Sequence, residues 1–200
     1  FAALVAAALL AFWYSRITGA PVLSDSMATA QLGVNLAHHG VLSIDEQPPL
    51  QPSMYREPAP GVVAALLVKV ADGIWGPAPQ SEYLHGERAR LLKLQNLLWF
   101  ALLCATTAIA VRWWTGSLVL AVLTAVAAQA VYFYPAMLSY GIDSLFSDIP
   151  AAALLTLVSL LLARAFTRGH WPLAGLAGLL LGVLTLIKSA LLYVTVGLAV

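Results

Sequence analysis

The sequence predicts an all-α fold: a polytopic transmembrane helical bundle with one long loop that bears interfacial helices. Three observations carry this. Hydrophobic residues make up 61% of the 200-residue chain and charged residues only 10%, against about 25% charged in soluble domains. A chain so poor in charge cannot cover itself with polar groups in water, whereas lipid demands an apolar exterior. The apolar residues also fall into long runs, closed by Arg, Trp, Tyr or Pro as at a headgroup layer. Most charges and most prolines gather instead between residues 16 and 90.

The first span is expected over residues 1–15, closed by Arg16. Within the loop 16–90, Asp45-Glu46-Gln47-Pro48-Pro49 and Gln51-Pro52-Ser53 have the composition of turns. Two short helical patterns interrupt it. One covers residues 26–38, with Met27, Ala30, Leu32, Val34 and Leu36 apolar, and the other covers residues 61–74, with Lys69 and Asp72 near its end. Both are too short to span and are expected to lie on the membrane.

Further spans are expected at 91–111, closed by Arg112, Trp113 and Trp114, and at 116–138, which carries no charge and ends at Tyr132, Phe133, Tyr134 and Pro135. A short loop with Asp143 leads to a span at 149–164, followed by Arg164 and Arg168. The turn Gly169-His170-Trp171-Pro172 opens a span at 171–187, and Lys188 separates it from an incomplete one at 189–200. Phe1 and Val200 both stand inside apolar runs, so the chain is read as a piece of a longer protein, truncated at both ends.

Charge sets the expected orientation. The turns at Arg112 and at Arg164 and Arg168 hold only basic charges, and the loop with Asp143 and Asp148 only acidic ones. Positive charges stay in the cytoplasm, which puts residues 16–90 outside. Asp25, Arg56, Asp148 and Lys188 then share the outer face. A net charge of +1 gives no basic field for nucleic acid. The single Cys104 cannot form an internal disulfide, and no phosphate-loop, zinc-protease or nucleophile-elbow motif occurs.

Each of the four residues has two readings. Asp25, just after the first span, suits a helix N-cap or a general base at the membrane surface. Asp148, ahead of Pro150, is either an interfacial N-cap or a carboxylate at membrane depth, where a charge normally marks a partner or a site. Lys188 is a snorkelling lysine or a phosphate ligand. Arg56 is a solvated loop arginine or a planar clamp for phosphate. His38 and His39, adjacent on a helix, point about 100° apart and are expected at the surface. The stripe Gly175, Gly178, Gly182 is expected to let another helix approach closely.

The order of these features resembles the first outer loop of the GT-C membrane glycosyltransferases. The likeness is to bacterial relatives of the dolichyl-phosphate-mannose protein mannosyltransferases and of the lipid A aminoarabinose transferase. An outer Asp25-Ser26 precedes a helix ending Asn35-Leu36-Ala37-His38-His39-Gly40, and an Arg-Glu-Pro-Ala-Pro-Gly stretch follows from Arg56 to Gly61. Ser147-Asp148-Ile149-Pro150 is similar to the family's acidic residue opening a span. Gly178 to Gly182 and Leu184-Thr185-Leu186-Ile187-Lys188 are similar to its glycine-and-lysine element, with Ile187 as one extra residue before the lysine.

The resemblance covers nearly the whole chain, as the N-terminal part of such an enzyme, and implies an inverting glycosyltransferase of a bacterial cytoplasmic membrane. Its donor would be a polyprenyl-phosphate-linked sugar presented at the outer face, and its acceptor a lipid, glycan or protein. Asp25 would be the catalytic base, and Arg56 and Lys188 the donor-phosphate ligands. Asp148 would orient the acceptor, hold Lys188 or join a divalent metal site; no other cofactor is implied. The alternatives are a multi-pass transporter and a non-catalytic scaffold subunit. A transporter is expected to place polar features near the midplane, where the third span here has no charge.

Overall fold

The structure, a computed structural model, describes residues 2–22, 24–53, 56–129 and 142–192. Those residues form eight α-helices and no strand. The helices are α1 (Ala2–Arg16), α2 (Asp25–His39), α3 (Pro58–Trp75), α4 (Gly86–Lys93), α5 (Gln95–Thr115), α6 (Leu118–Ala127), α7 (Asp148–Arg168) and α8 (Trp171–Ile187). Tyrosines and aromatics expected to end the third span, Tyr132 to Pro135, lie outside the described residues. So does the expected sixth span beyond Leu192, of which the structure describes a short 3₁₀ turn, Ser189–Leu191.

Three helices are long and apolar enough to cross a membrane: α3, the rod Gly86–Thr115 that α4 and α5 form together, and α7. The rod holds 30 residues, about 45 Å at 1.5 Å per residue. It ends at Gly116, whose left-handed φ of 68° suits a residue without Cβ, and whose N–H donates back to Arg112 O at 2.8 Å. Large apolar side chains such as Leu66, Leu98, Ile109 and Phe166 stand exposed on these helices. That exterior is compatible with an integral membrane protein.

α7 and α8 form a hairpin through Ala151, Leu154 and Val158 on one side and Ala177, Leu181 and Leu184 on the other. The glycine stripe does not make this contact. A Cβ added at Gly175, Gly178 or Gly182 would meet nothing within 4 Å, so the expected close helix approach is absent there among the described residues. It occurs between α2 and α3 instead. A Cβ at Gly33 would sit 2.5 Å from the Cβ of Ala64, and one at Gly61 would sit 2.9 Å from that of Leu32.

α3 begins earlier than residue 61 because Pro58 and Pro60 fit its first turn, where a missing N–H costs nothing. At 18 residues it is about 27 Å long. Length therefore does not separate a lying helix from a crossing one, which corrects the expectation drawn from residues 61–74. Its Gly61, Ala64, Ala65, Val68 and Ala71 are buried, while Val62, Leu66, Val70 and Ile74 form an exposed apolar stripe at helical spacing. α2 is buried at ten positions, including Gln31 and Asn35.

One end of the bundle is tied by polar contacts across distant segments. Lys93, fully buried, donates to Thr18 O at 3.2 Å, to Ala20 O at 2.8 Å and to Asp143 Oδ1 at 3.0 Å. Thr18 closes the set by donating its N–H and Oγ1–H to the Asp143 carboxylate at 2.8 and 2.6 Å. Asn96 Nδ2 donates to Ile142 O and Ser144 O, and Leu145 N–H donates to Ser26 Oγ at 2.9 Å. These bonds set the ends of α1 and α4 and the starts of α2, α5 and α7 side by side. Arg112 and Arg168 close α5 and α7 at the opposite end, where the Arg164 guanidinium lies 4.5 Å over the Trp113 ring.

Candidate functional site

Four helix ends converge on a polar cleft. Asp25 is the first residue of α2, Arg56 and Glu57 immediately precede α3, Asp148 is the first residue of α7, and Lys188 follows α8. All five line one cavity of about 60 Å³, together with Thr29 and Phe146. The four ionisable residues expected to share a face are therefore brought together within a single site.

The cleft is organised as two ion pairs. Arg56 Nη2 contacts Asp25 Oδ1, and Lys188 Nζ lies 2.6 Å from Asp148 Oδ1. Asp25 and Asp148 are the open members, with side chains 51% and 66% exposed against 27% for Arg56 and 36% for Lys188. The cations thus sit deeper and the carboxylates nearer the cleft mouth.

Neither aspartate is an N-cap. Ser24 and Ser147 hold the cap positions of α2 and α7, and neither makes a side-chain cap bond. Both carboxylates are spent on cations instead, which corrects the capping alternative for each. Asp148 stands at the first residue of its helix. Ser24 has φ of 55°, a left-handed conformation costing a non-glycine residue about 1–3 kcal/mol. That turn swings the chain out of the segment after α1 and into α2 at Asp25.

Glu57 is the site residue that sequence reasoning missed. Its Oε1 accepts from Ser189 N–H at 3.2 Å and Ser189 Oγ–H at 3.1 Å. Burial pushes the Glu57 carboxyl up, but its own amide, the two Ser189 donors and the nearby Lys188 charge outweigh this and hold it below the usual range. Its one signal was adjacency to Arg56; its partner lies 132 positions away. Lys93 was missed as well, although an ionisable residue inside Leu91-Leu92-Lys93-Leu94 is the same kind of signal as Asp148.

The cleft does not end at the charged residues. Thr29, Pro60, Leu145 and Phe146 are also walls of an adjoining apolar cavity of about 100 Å³ that reaches Trp99 and Ile187. The two together offer a polar mouth and an apolar flank. A larger cavity of about 240 Å³ between α1, α5 and α6 contains Trp13, Cys104 and Gln129 but none of the site's charged residues.

His38 is not a surface residue. Its Nε2 lies 3.0 Å from Asp72 Oδ2, and Asp72 also accepts from the Tyr83 hydroxyl. Arg88 donates to that hydroxyl at 3.1 Å and to Gly76 O at 2.7 Å. Burial, then the Asp72 hydrogen bond and charge, push the Tyr83 phenol up to about 12 against the opposing pull of Arg88. This network ties the far ends of α2 and α3 to α4. His39 is exposed.

Asp25, Glu57 and Asp148 are the acidic groups of the cleft, yet among the described residues no three His, Cys, Asp or Glu side chains gather as metal ligands. These side chains do not form the donor cluster that the divalent metal left open by the sequence would need. No family model, curated protein or solved structure matches this chain.

Proposed function

We propose that this chain is the site-bearing part of a membrane glycosyltransferase. It would move a sugar from a polyprenyl-phosphate donor to an acceptor at the outer membrane face. The observation that carries the reading is the convergence of Asp25, Arg56, Asp148 and Lys188 on one cleft from four separate helix ends. Two cations beside carboxylates suit a phosphate leaving group and a base, and the adjoining apolar cavity suits a ligand with an apolar tail. The order of motifs shared with the GT-C enzymes supports the same reading.

The chemistry is a single displacement. Asp25 takes the proton of the acceptor hydroxyl or amine. The acceptor atom bonds to the anomeric carbon as the bond from that carbon to the phosphate oxygen breaks. The electron pair leaves with the phosphate, released as polyprenyl phosphate, and the anomeric configuration inverts. Arg56 and Lys188 stabilise the charge that grows on the phosphate. Asp148 holds Lys188 in place before the donor binds.

The test is sugar transfer from a polyprenyl-phosphate-sugar by full-length protein carrying Asp25→Asn. Loss of the base lowers turnover about 10²-fold or more without weakening donor binding. Near-normal transfer would remove Asp25 from the mechanism.

A further inference from the structure

We infer that the site is self-locked by its own ion pairs, and that a phosphate ligand opens it by exchanging partners with Asp25 and Asp148. The inference rests on the phosphate-binding reading above and adds to it an order of events.

Three carboxylates face two cations in the cleft, so the empty site is net negative and repels the anion it is proposed to bind. Each cation already has an acidic partner: Arg56 has Asp25 and Lys188 has Asp148. A phosphate takes up the full charge of either cation only in competition with its carboxylate partner. The two carboxylates to be displaced are the exposed ones, more than half accessible, so they can swing to water at little cost. Glu57 is different. Both Ser189 donors fix it, so it stays as a wall while the other two move.

The exchange has a chemical consequence. While Asp25 is paired with Arg56, its oxygen is engaged by the guanidinium and is not presented to an acceptor. Phosphate binding transfers the guanidinium to the donor and releases Asp25 toward the cleft mouth. The base is therefore available only when the phosphate is seated. Such a lock selects ligands whose head carries enough charge to engage both cations: a phosphate ester meets this, and a neutral sugar or a single carboxylate does not.

The experiment measures binding of farnesyl phosphate and, separately, inorganic phosphate to the purified chain in detergent by calorimetry. Four variants are compared with wild type: Asp25→Asn, Asp148→Asn, Arg56→Met and Lys188→Met. Each neutralised aspartate removes an internal competitor, so both Asn variants should bind about 3- to 5-fold more tightly, and both Met variants more weakly. The same ranking with inorganic phosphate places the exchange on the phosphate group alone, and a ranking seen only with farnesyl phosphate places it on the lipid-linked form; either supports the lock. Weaker binding in the Met variants with unchanged or weaker binding in both Asn variants overturns the lock and leaves the phosphate site standing. Unchanged binding in the Met variants overturns the phosphate site itself. Because the two ion pairs are separate, Asp148→Asn decides the matter if Asp25→Asn does not fold.

Discussion

Lys188 Nζ and Asp148 Oδ1 meet at 2.6 Å across 40 positions of sequence, joining the residue that ends α8 to the residue that begins α7. The pair closes the open end of the hairpin, opposite its connecting turn at Gly169. Both side chains keep water contact, so solvent screens the pair and its share of stability is small.

Lys188→Met should therefore separate function from folding. Thermal unfolding in detergent should change by about 1 kcal/mol or less. Sugar transfer from a polyprenyl-phosphate donor should fall about 10²-fold. A large loss of stability with a proportionate loss of activity would make Lys188 a structural residue only.

Lys93 should behave in the opposite way. It is fully buried and gives all its donors to Thr18, Ala20 and Asp143. Lys93→Met removes the counter-charge of Asp143, which keeps only its two Thr18 donors, and takes a donor from two carbonyls, at a cost of about 3–5 kcal/mol. Denaturant titration followed by tryptophan fluorescence should show this, with loss of the folded form at temperatures where Lys188→Met is intact.

Glycine positions should split by sign. Gly33→Ala puts a methyl 2.5 Å from the Ala64 Cβ, which has no rotamer to yield, and overpacking should destabilise by about 1–3 kcal/mol. Gly175→Ala adds a methyl into open space and should gain up to about 1 kcal/mol of helix propensity. Melting temperatures of the two variants should move in opposite directions.

Tyr83 sets a pH dependence at the alkaline end. Its phenol is pushed up from 10.0 to about 12 in the folded chain. The folded state holds that proton more tightly, so the contribution is complete below pH 10 and disappears as pH rises toward 12. The stability difference between wild type and Tyr83→Phe should shrink over that window. A difference that stays constant from pH 9 to pH 12 would contradict it.

The helices α1, α5, α7 and α8 were legible because apolar runs and their bounding Arg, Gly and Pro residues are local signals. The site was legible in part for a related reason. Asp25, Arg56, Asp148 and Lys188 all border apolar segments, and topology alone sends such borders to one side. What sequence could not give was pairing. Nothing local distinguishes Arg56 bound to Asp25 from Arg56 bound to Glu57, because the choice depends on how α2 and α3 cross at Gly33 and Ala64. The same limit hid the Glu57–Ser189 contact and made His38 look exposed, since its partner Asp72 lies on another helix. The glycine stripe of α8 misled because small residues permit close packing without specifying a neighbour.

Glu57 and Ser189 also set a timetable. The ribosome makes Asp25, Arg56 and Glu57 long before Ser189, which follows Glu57 by 132 residues. At the elongation rates of living cells, about 5–20 residues per second, that gap lasts roughly 7–26 seconds. Through most of it the nascent chain holds half a site, with an aspartate and an arginine; Asp148 joins late in the interval and Lys188 only at its close. The second half arrives only when the α7–α8 hairpin has formed and brought its open end beside α3. Completion of the site is thus a late event of biogenesis, and it reports that the last described helices have taken their places.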